Sequence, residues 1–321
     1  MTEGAGGGDF VEQLLARCTF PPAGSHLDLA VSGGPDSLAM LVLAVRSGCR
    51  PTAHHVDHGL RPSSAGEAQV VEAVARKLGA GFVSLRVELA AGPNLEARAR
   101  AARFAVLPPG VATGHTADDQ AETILINLVR GAGLAGLAGM AAGSRHPILG
   151  LRRSETAALC KALGLEPVLD ESNSDPSILR NRVRAEVLPL LNDVARRDVV
   201  PVLARQASLL AAEDALLDGL AAGVDPADAA ALSSLDPVLA RRAVRAWLRA
   251  SDPEEHPPGF AAVERVLSVA RQEVRACEID GRRRVRRSGG RLRLEEPSRG
   301  KAGRSAPVAG TVPRENGPLP K

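Results

Sequence analysis

The segment Leu27-Asp28-Leu29-Ala30-Val31-Ser32-Gly33-Gly34-Pro35-Asp36-Ser37 decides the fold of this chain. Its first five residues are mainly apolar and predict a short buried strand, and the residues after Ser37 predict a helix. The two glycines between strand and helix predict a tight turn, because glycine lets the backbone approach a ligand closely. A glycine turn at the start of a helix is typical of a phosphate-binding loop.

The chemistry of this loop follows from the ends of helices. The first turn of a helix has unpaired backbone N–H groups and the positive end of the helix dipole, and an anion satisfies both. The loop lacks the Gly-Lys-Ser/Thr ending that lysine-dependent P-loop NTPases use. Asp36 takes the place of that lysine, and a carboxylate suits Mg²⁺ better than it suits phosphate. We therefore predict that the loop binds nucleotide phosphates through Ser32, Gly33, Gly34, Pro35, Asp36 and Ser37.

Length and composition limit the class of protein. The 321 residues suffice for one large α/β domain and a smaller one, and a net charge of +3 excludes a polycation. The four cysteines lie far apart with no C-x-x-C pair, which favours reduced thiols over a zinc or iron–sulfur site. No apolar run reaches the roughly 20 residues of a membrane span, and Met1–Gly8 lacks signal-peptide features. We expect a cytoplasmic protein without a membrane partner.

Strands alternate with helices along the first half of the chain. Further strands are predicted at 51–57, 82–87 and 111–113, with helices over 65–78 and from residue 94 through Val106. This order predicts an α/β fold with a doubly wound parallel sheet. Ligands bind such sheets at the carboxyl ends of the strands, so the loops after the first, second and fourth strands should converge.

Acidic residues follow the fourth predicted strand, in Gly114-His115-Thr116-Ala117-Asp118-Asp119-Gln120-Ala121-Glu122-Thr123. The three-residue spacing of Thr116 and Asp119 predicts a capping box, and Asp118 and Glu122 fall on one helical face. Acids in a first turn commonly complement the helix dipole. Because the phosphate loop should lie alongside, we favour a role for Asp118 or Asp119 in holding Mg²⁺.

The roles of two other loops are left open by the sequence. The turn after the second strand, His54-His55-Val56-Asp57-His58, has no usual zinc spacing, so an adenosine or RNA contact is favoured over a metal site. The glycine-punctuated segment 130–140 is too flexible for a packed helix throughout. It predicts either a lid over a bound ligand or a structural linker.

An arginine-rich segment follows at residues 170–184. Asp175 and Pro176 predict a helix start, and the predicted buried stripe consists of Leu179, Val183, Val187 and Leu190. The remaining surface of this helix would carry Arg180, Asn181, Arg182 and Arg184. A solvated basic face is the default interpretation of such a pattern.

Together these motifs resemble the tRNA(Ile)-lysidine synthetases, within the PP-loop or N-type ATP pyrophosphatase superfamily. The motifs that carry the resemblance are Ser32–Ser37, His55–Arg61, Asn94–Arg100, Gly114–Thr123, Arg130–Leu137 and Asp170–Arg184. The resemblance implies a Rossmann-like ligase that uses ATP, Mg²⁺ and free L-lysine. It also implies that the substrate is the wobble cytidine of tRNA(Ile) with a CAU anticodon, which becomes lysidine.

The resemblance also suggests roles for individual residues. The backbone of Ser32–Ser37 would hold pyrophosphate, and Asp36 with Asp118 or Asp119 would hold Mg²⁺. Arg180 and Arg184 would contact RNA phosphate or the activated base. Two rival functions stay open: a PP-loop tRNA thiolase, which normally needs paired cysteines, and a non-catalytic ATP-binding module.

The chain is predicted to have four parts: a flexible N-terminus and short helix over 1–24, a catalytic domain over 25–192, a small C-terminal domain over 193–296, and a disordered tail over 297–321. The third part would start with a linker helix over 192–217 and include a basic β-hairpin, since residues 281–293 hold seven arginines. Such a hairpin would bind RNA backbone. Trp247 is assigned to the core. Longer family members have a further C-terminal domain, which we expect to be absent or vestigial in this chain. The sequence leaves open whether the protein forms a homodimer.

Overall fold

The structure is a computed structural model, and it describes residues 5–57, 64–87, 95–168, 175–251, 258–279 and 283–295. The described residues form two compact units, one up to Asp214 and one from Ala215 onward. The domain boundaries proposed from the sequence stay predictions. His58, the start of the motif at 94–100, the first part of the motif at 170–184, and the tail at 297–321 lie outside the described residues.

The first unit is built on a parallel sheet of four strands in the order β3-β2-β1-β4. The strands are β1 (His26–Ala30), β2 (Arg50–Asp57), β3 (Gly81–Arg86) and β4 (Ala112–Thr113). The predicted doubly wound parallel sheet is thereby confirmed. The first seven helices of this unit are α1 (Ala5–Leu15), α2 (Pro35–Arg46), α3 (Ser64–Leu78), α4 (Leu95–Val106), α5 (Ala117–Val129), α6 (Leu134–Leu137) and α7 (Arg153–Ala162).

Helix α2 is the centre of the core. Every residue from Ser37 to Ala44 is buried, which suits a helix that is apolar on all sides. It packs with strand β2, helix α3 and helix α7, and the core also includes Leu29, Val71 and Leu159. The loop that precedes α2 is therefore attached to a helix that is buried in the core of the unit.

The strand order places the phosphate loop beside the acidic loop. Strand β1 lies between β2 and β4, so the strand order reverses at β1: β2 and β3 follow on one side of it, and β4 is added on the other. Ligands bind doubly wound sheets at such a switch point. At Gly114 the loop after β4 contacts the start of α2 so closely that an added Cβ would lie 3.0 Å from the Asp36 carbonyl oxygen and 3.1 Å from Ser37 Cα.

The arginine-rich segment corrects the predicted continuous helix. It consists of α8 (Leu179–Arg182), a π-helical turn (Val183–Val187) and α9 (Leu188–Ala195). Asp175 accepts a hydrogen bond from the Ser177 N–H in the preceding turn, while the N-cap of α8 is Ile178. The predicted helix start at Asp175–Pro176 was therefore wrong.

The π-helical turn also corrects the predicted buried stripe. An extra residue in one turn shifts the phase of every side chain that follows it. Val183 is buried as predicted, but the next buried residue is Leu188. Leu179, Val187 and Leu190 are exposed. Asn181, which was assigned to the surface, is buried.

The second unit joins helices to a small antiparallel sheet. Helix α10 (Val200–Ala222) leads into it after a break at 196–199, where Arg196 has a φ of +50°, so the predicted helix from 192 to 217 is interrupted. The remaining elements are α11 (Ala229–Ser234), α12 (Pro237–Ala250), α13 (Phe260–Ala270), β5 (Ala276–Glu278), β6 (Arg284–Ser288) and β7 (Arg291–Glu295).

The predicted basic hairpin is confirmed as β6 and β7, which pair antiparallel across a Gly289-Gly290 turn. Trp247 packs against the apolar core of this unit, as predicted. In the part of the chain that the structure describes, no helix is both long enough and apolar enough to span a membrane.

The close approach at Gly114 gives a test of the fold. We expect Gly114→Ala to lower the free energy of unfolding by about 1–3 kcal/mol, because the new methyl group must displace backbone. Gly66→Ala is the matched control, since nothing lies within 4 Å of its added Cβ. Alanine at this helical position should be neutral or stabilise by up to about 1 kcal/mol. Urea unfolding of both variants measures the difference, and equal stability would contradict the packing described.

Candidate active site

The phosphate loop presents an uncapped helix start. Gly33 has a φ of +91°, which favours glycine, and its carbonyl accepts a hydrogen bond from the Val168 N–H at 3.0 Å. Gly34 is the N-cap of α2 and supplies no side-chain hydrogen bond to the first turn. Ser37 Oγ donates to the Gly34 carbonyl at 2.9 Å and lies 3.3 Å from Ser32 Oγ. Among the described residues, no side chain caps the N–H groups of Asp36 and Ser37, so the first turn of α2 can bind an anion.

Asp36 is a largely buried carboxylate with few partners. It accepts a short hydrogen bond from Thr156 Oγ1 and lies 3.5 Å from Arg153 Nε. Burial raises the pKa of Asp36 above its usual range, and the Thr156 hydrogen bond and the Arg153 charge only partly offset this. The negative charge of Asp36 is thus less well stabilised here than in water, and an added cation would favour it.

Asp119 caps its own helix and also contacts arginine. The Thr116 N–H and Thr116 Oγ1 both donate to Asp119 Oδ2 at 2.9 Å, which confirms the predicted capping box. Arg153 and Arg180 donate to Asp119 Oδ1 at 2.9 and 3.2 Å. Burial acts to raise the pKa of Asp119, but the Arg153 charge and the Thr116 N–H outweigh it and lower the pKa.

Asp118 differs from Asp119 in that a single arginine binds both of its carboxylate oxygens. Arg152 binds both of them, at 3.0 Å each, and the Arg153 N–H donates to Oδ2 at 2.8 Å. Burial acts to raise the pKa of Asp118, but these hydrogen bonds outweigh it and lower the pKa. Asp118 therefore ties the start of α5 to the start of α7.

Glu122 is the buried centre of the site. Its side chain is 0 % exposed, and three arginines bind it. Arg180 Nε and Arg184 Nε each donate at 2.7 Å, and Arg153 Nη1 donates at 3.1 Å. A carboxylate without solvent is stable only when it is paired in this way. Glu122 thus holds three guanidinium groups at one place.

Arg180 and Arg184 meet at the same carboxylate because side chains four residues apart lie on one face of a helix. Both residues were expected on a solvated face, yet each is bound to Glu122 while about a third of its side chain stays exposed, 32 % and 31 %. Arg182 follows the expected pattern, since it is exposed and pairs with Glu186 four residues later. The structure therefore brings Arg180 and Arg184 to the acidic loop and leaves Arg182 outside.

The histidines of β2 form hydrogen bonds with β1 and with the residue that follows it. His54 Nε2 lies 2.7 Å from Asp28 Oδ1, and His55 Nδ1 lies 3.0 Å from the Val31 carbonyl oxygen. Both histidines are buried. Across the described residues, no group of three or more His, Cys, Asp or Glu side chains is arranged to hold a metal ion by itself.

The glycine-punctuated segment 130–140 is attached to α5. Gln120 accepts from the Met140 N–H at 2.8 Å and donates to the Met140 carbonyl at 2.9 Å. Asn127 donates to the Gly136 carbonyl at 2.7 Å. Two side chains of one helix therefore define the course of the segment, including the short helix α6.

Sequence reasoning missed four residues that complete the site: Glu122 as its centre, Arg152 at the N-cap of α7, and Arg153 and Thr156 on α7. One signal was present in the sequence. Two adjacent arginines at the start of a helix oppose the helix dipole, which is unfavourable unless acids compensate them. The partners, Asp118 and Glu122, could be identified only once the fold brought α5 against α7.

Glu122 gives a direct test of this charge cluster. We expect Glu122→Gln to lower the free energy of unfolding by about 2–4 kcal/mol, because three arginines lose a buried partner of nearly unchanged shape. Glu186→Gln removes an exposed carboxylate that also pairs with arginine, and it should leave stability nearly unchanged. Urea unfolding of both variants is the measurement. Similar losses in the two variants would show that burial does not strengthen the Glu122 pairs.

Comparison with known proteins matches this geometry to a family. Residues 10–191 match the family model of the PP-loop domain. The tRNA(Ile)-lysidine synthase of Mycolicibacterium paratuberculosis is 47% identical over 240 residues, covering 69% of this chain and 74% of the relative. That of Nocardia farcinica is 43% identical over 244 residues, covering 71% and 77%.

A solved structure shares the fold at low identity. It is the U34-tRNA thiolase NcsA from Methanococcus maripaludis, with a TM-score of 0.50 and 17% identity over 63% of this chain and 80% of that one. At this identity the likeness supports the fold alone. On the strength of the family model and the curated relatives, the chain belongs to the tRNA(Ile)-lysidine synthase family of PP-loop proteins.

Proposed function

We propose that the protein joins L-lysine to the wobble cytidine of tRNA(Ile) with a CAU anticodon. In the first step the cytosine C2 oxygen attacks the α-phosphorus of ATP, and the bond to the β-phosphate oxygen breaks to release pyrophosphate. In the second step an amine of lysine attacks C2, and AMP departs with the C2 oxygen. The products are lysidine, AMP and pyrophosphate.

The observation that carries the proposal is the meeting of the phosphate loop with the acidic loop and the arginines at one edge of the sheet. The uncapped start of α2 offers backbone N–H groups to the pyrophosphate. Arg180 and Arg184 lie at the same site, with their positions fixed by Glu122 and a third of each side chain exposed. An adenylyl transfer needs such positioning and charge neutralisation more than it needs a protein nucleophile.

We propose Asp36 and Asp119 as the residues that would hold Mg²⁺. Both carboxylates contact the same guanidinium, that of Arg153, and so converge on one point. Mg²⁺ in nucleotide sites takes one or two carboxylates together with phosphate oxygens and water, so an all-protein cage is not required. The bound ion would neutralise the phosphates. Asp118 fits this role less well, because Arg152 engages both of its oxygens.

Arg180 and Arg184 are proposed to contact RNA phosphate or the activated cytosine. The guanidinium group binds phosphate through two parallel hydrogen bonds and also stacks on bases. The cytosine must leave the stack of the anticodon loop to reach such a site, as is usual for enzymes that modify RNA bases.

The two rival functions predict different products. A thiolase would transfer sulfur, and the cysteines of this chain are Cys18, Cys49, Cys160 and Cys277, with no C-x-x-C pair. A non-catalytic module would bind ATP without releasing pyrophosphate in response to tRNA. The relatives at 40–47% identity share the lysidine synthase name, whereas the thiolase is 17% identical.

Incorporation of ¹⁴C-lysine into tRNA(Ile) tests the proposal. We expect incorporation and pyrophosphate release with the CAU anticodon, and none when the first anticodon base is U. Asp36→Asn should reduce tRNA-dependent pyrophosphate release by at least about a hundredfold, because a charged ligand of the reaction centre is lost.

Asp28→Asn is the matched control, since Asp28 is a half-exposed carboxylate on β1 that pairs with His54 and not with the phosphate loop. Its pyrophosphate release should stay close to wild type. Full activity of Asp36→Asn would sink the assignment of Asp36, and ATP binding without lysine incorporation would favour the non-catalytic module.

We also propose that one face of the basic hairpin binds tRNA phosphates. The register of β6 and β7 places Arg284, Arg286, Arg291 and Arg293 on the face opposite the buried Val285 and Leu292. Arg286 and Arg293 are directly opposite each other, and like charges in such a pair destabilise a sheet. Arg286 pairs with Glu295 and Arg291 with Asp225, so Arg284 and Arg293 are left without an ion pair among the described residues. A polyanion would supply their counter-charge.

Salt dependence tests this face. We expect Arg284→Gln with Arg293→Gln to weaken tRNA binding and to reduce the slope of log affinity against log salt by roughly 2, one unit for each lost phosphate contact. Arg76→Gln is the control, because Arg76 is exposed on α3 and pairs with Glu72. Filter binding between about 50 and 300 mM salt measures both slopes. An unchanged slope in the double variant would remove the hairpin from the tRNA interface.

A further inference from the structure

Arg153 places each nitrogen of its guanidinium against a different carboxylate. Nε lies 3.5 Å from Asp36 Oδ2, Nη1 lies 3.1 Å from Glu122 Oε1, and Nη2 lies 2.9 Å from Asp119 Oδ1. Two of these carboxylates, Asp36 and Asp119, are the ones proposed above for Mg²⁺. The guanidinium therefore occupies the place where a divalent cation would contact them.

The charges around Arg153 balance among the side chains of the protein itself. Three carboxylates face three guanidinium groups, and they belong to Asp36, Asp119, Glu122, Arg153, Arg180 and Arg184. If Arg153 moved away, Glu122 would keep two arginines and Asp119 would keep Arg180. Among the described residues, Asp36 would keep the hydroxyl of Thr156. Departure of Arg153 thus exposes one carboxylate above all, that of Asp36.

We propose that Arg153 is an internal counter-ion that exchanges with the divalent cation. It neutralises Asp36 and Asp119 while the site is free of nucleotide, yields both to Mg²⁺ when ATP enters, and transfers its guanidinium to the polyphosphate. This inference rests on the proposed function, because it assumes a nucleotide–Mg²⁺ complex at this edge of the sheet.

Two physical reasons favour the exchange. Without Arg153 these side chains would have one excess negative charge, which would repel ATP as it approached. When Mg²⁺ takes the place of Arg153 on the carboxylates, the ion adds two positive charges where the pyrophosphate charge builds up. The released arginine can then bind phosphate through a matched pair of hydrogen bonds. The Arg153 side chain is 26 % exposed, so its guanidinium has an open side toward which it can move.

The alternative is a fixed clamp, in which Arg153 stays on the three carboxylates and holds α7 against α5. The two roles predict opposite effects on metal binding by the nucleotide-free protein. Under exchange, loss of Arg153 removes a competing cation and tightens metal binding. Under the clamp, loss of Arg153 lets the carboxylates separate, and metal binding stays the same or weakens.

The test measures Mn²⁺, a paramagnetic substitute for Mg²⁺, binding to the full chain without nucleotide. We expect Arg153→Gln to bind Mn²⁺ at least about tenfold more tightly than wild type, because the site keeps its carboxylates and loses its internal cation. The same variant should bind ATP with saturating Mg²⁺ about tenfold more weakly, because a charged phosphate contact is lost. Adding Asp36→Asn to Arg153→Gln should cancel the gain in Mn²⁺ affinity.

Arg17→Gln is the matched control. Arg17 also pairs with an acid on α7, Glu155, but it contacts none of the three carboxylates. Its Mn²⁺ and ATP affinities should equal those of wild type. Mn²⁺ affinity of Arg153→Gln equal to or below that of wild type would overturn the exchange in favour of the clamp.

Arg153→Lys decides the question if the glutamine variant does not fold. Lysine keeps one positive charge but cannot contact three carboxylates at once. Tighter Mn²⁺ binding by this variant supports the exchange, and unchanged or weaker binding overturns it. The measurement uses neither tRNA nor lysine. A wild-type protein that fails to form lysidine would refute the proposed function and leave the Mn²⁺ result valid as a separate outcome.

Discussion

The full burial of Glu122 beneath three arginines is the interaction on which the site depends. A carboxylate that has lost all contact with water must be compensated by charge and hydrogen bonds, and here Arg153, Arg180 and Arg184 supply both. The three arginines come from α7, α8 and the π-helical turn, so one side chain of α5 connects elements far apart in sequence. Because its partners are themselves partly exposed, the cluster fixes the guanidinium groups and still leaves them accessible to a ligand.

The parallel sheet makes this arrangement possible. Strand β4 pairs with β1 on the side opposite β2, so the acidic loop follows a strand directly beside the phosphate loop. The contact is closest at Gly114, where any side chain would collide with the backbone of Asp36 and Ser37. The buried helix α2, which follows the phosphate loop directly, anchors that loop to the core. The residues that pack most closely and the residues of the candidate site are thus neighbours in the same two loops.

Sequence reasoning predicted the sheet, the phosphate loop, the capping box of Thr116 and Asp119, and the basic hairpin. Each of these rests on local patterns, namely an apolar strand before glycines, a three-residue spacing, and alternation of arginine with apolar residues. It failed at residues 175–190, where a regular helical period was assumed. The π-helical turn at Val183–Val187 shifts the phase, so Leu188 is buried and Val187 is exposed. A single inserted residue per turn leaves no trace in a pattern of apolar residues this short.

The sequence by itself indicated the class of chemistry. The residue types at 32–37 predict a phosphate-binding helix start, and those at 114–123 predict a capped helix with acids suited to a cation. The tertiary structure alone decided which charges meet. Asp118 pairs with Arg152, Asp36 and Asp119 share Arg153, and Glu122 collects the remaining arginines. These pairings join residues about 30 to 120 positions apart, and Coulomb attraction depends on distance in space, which only the folded chain defines.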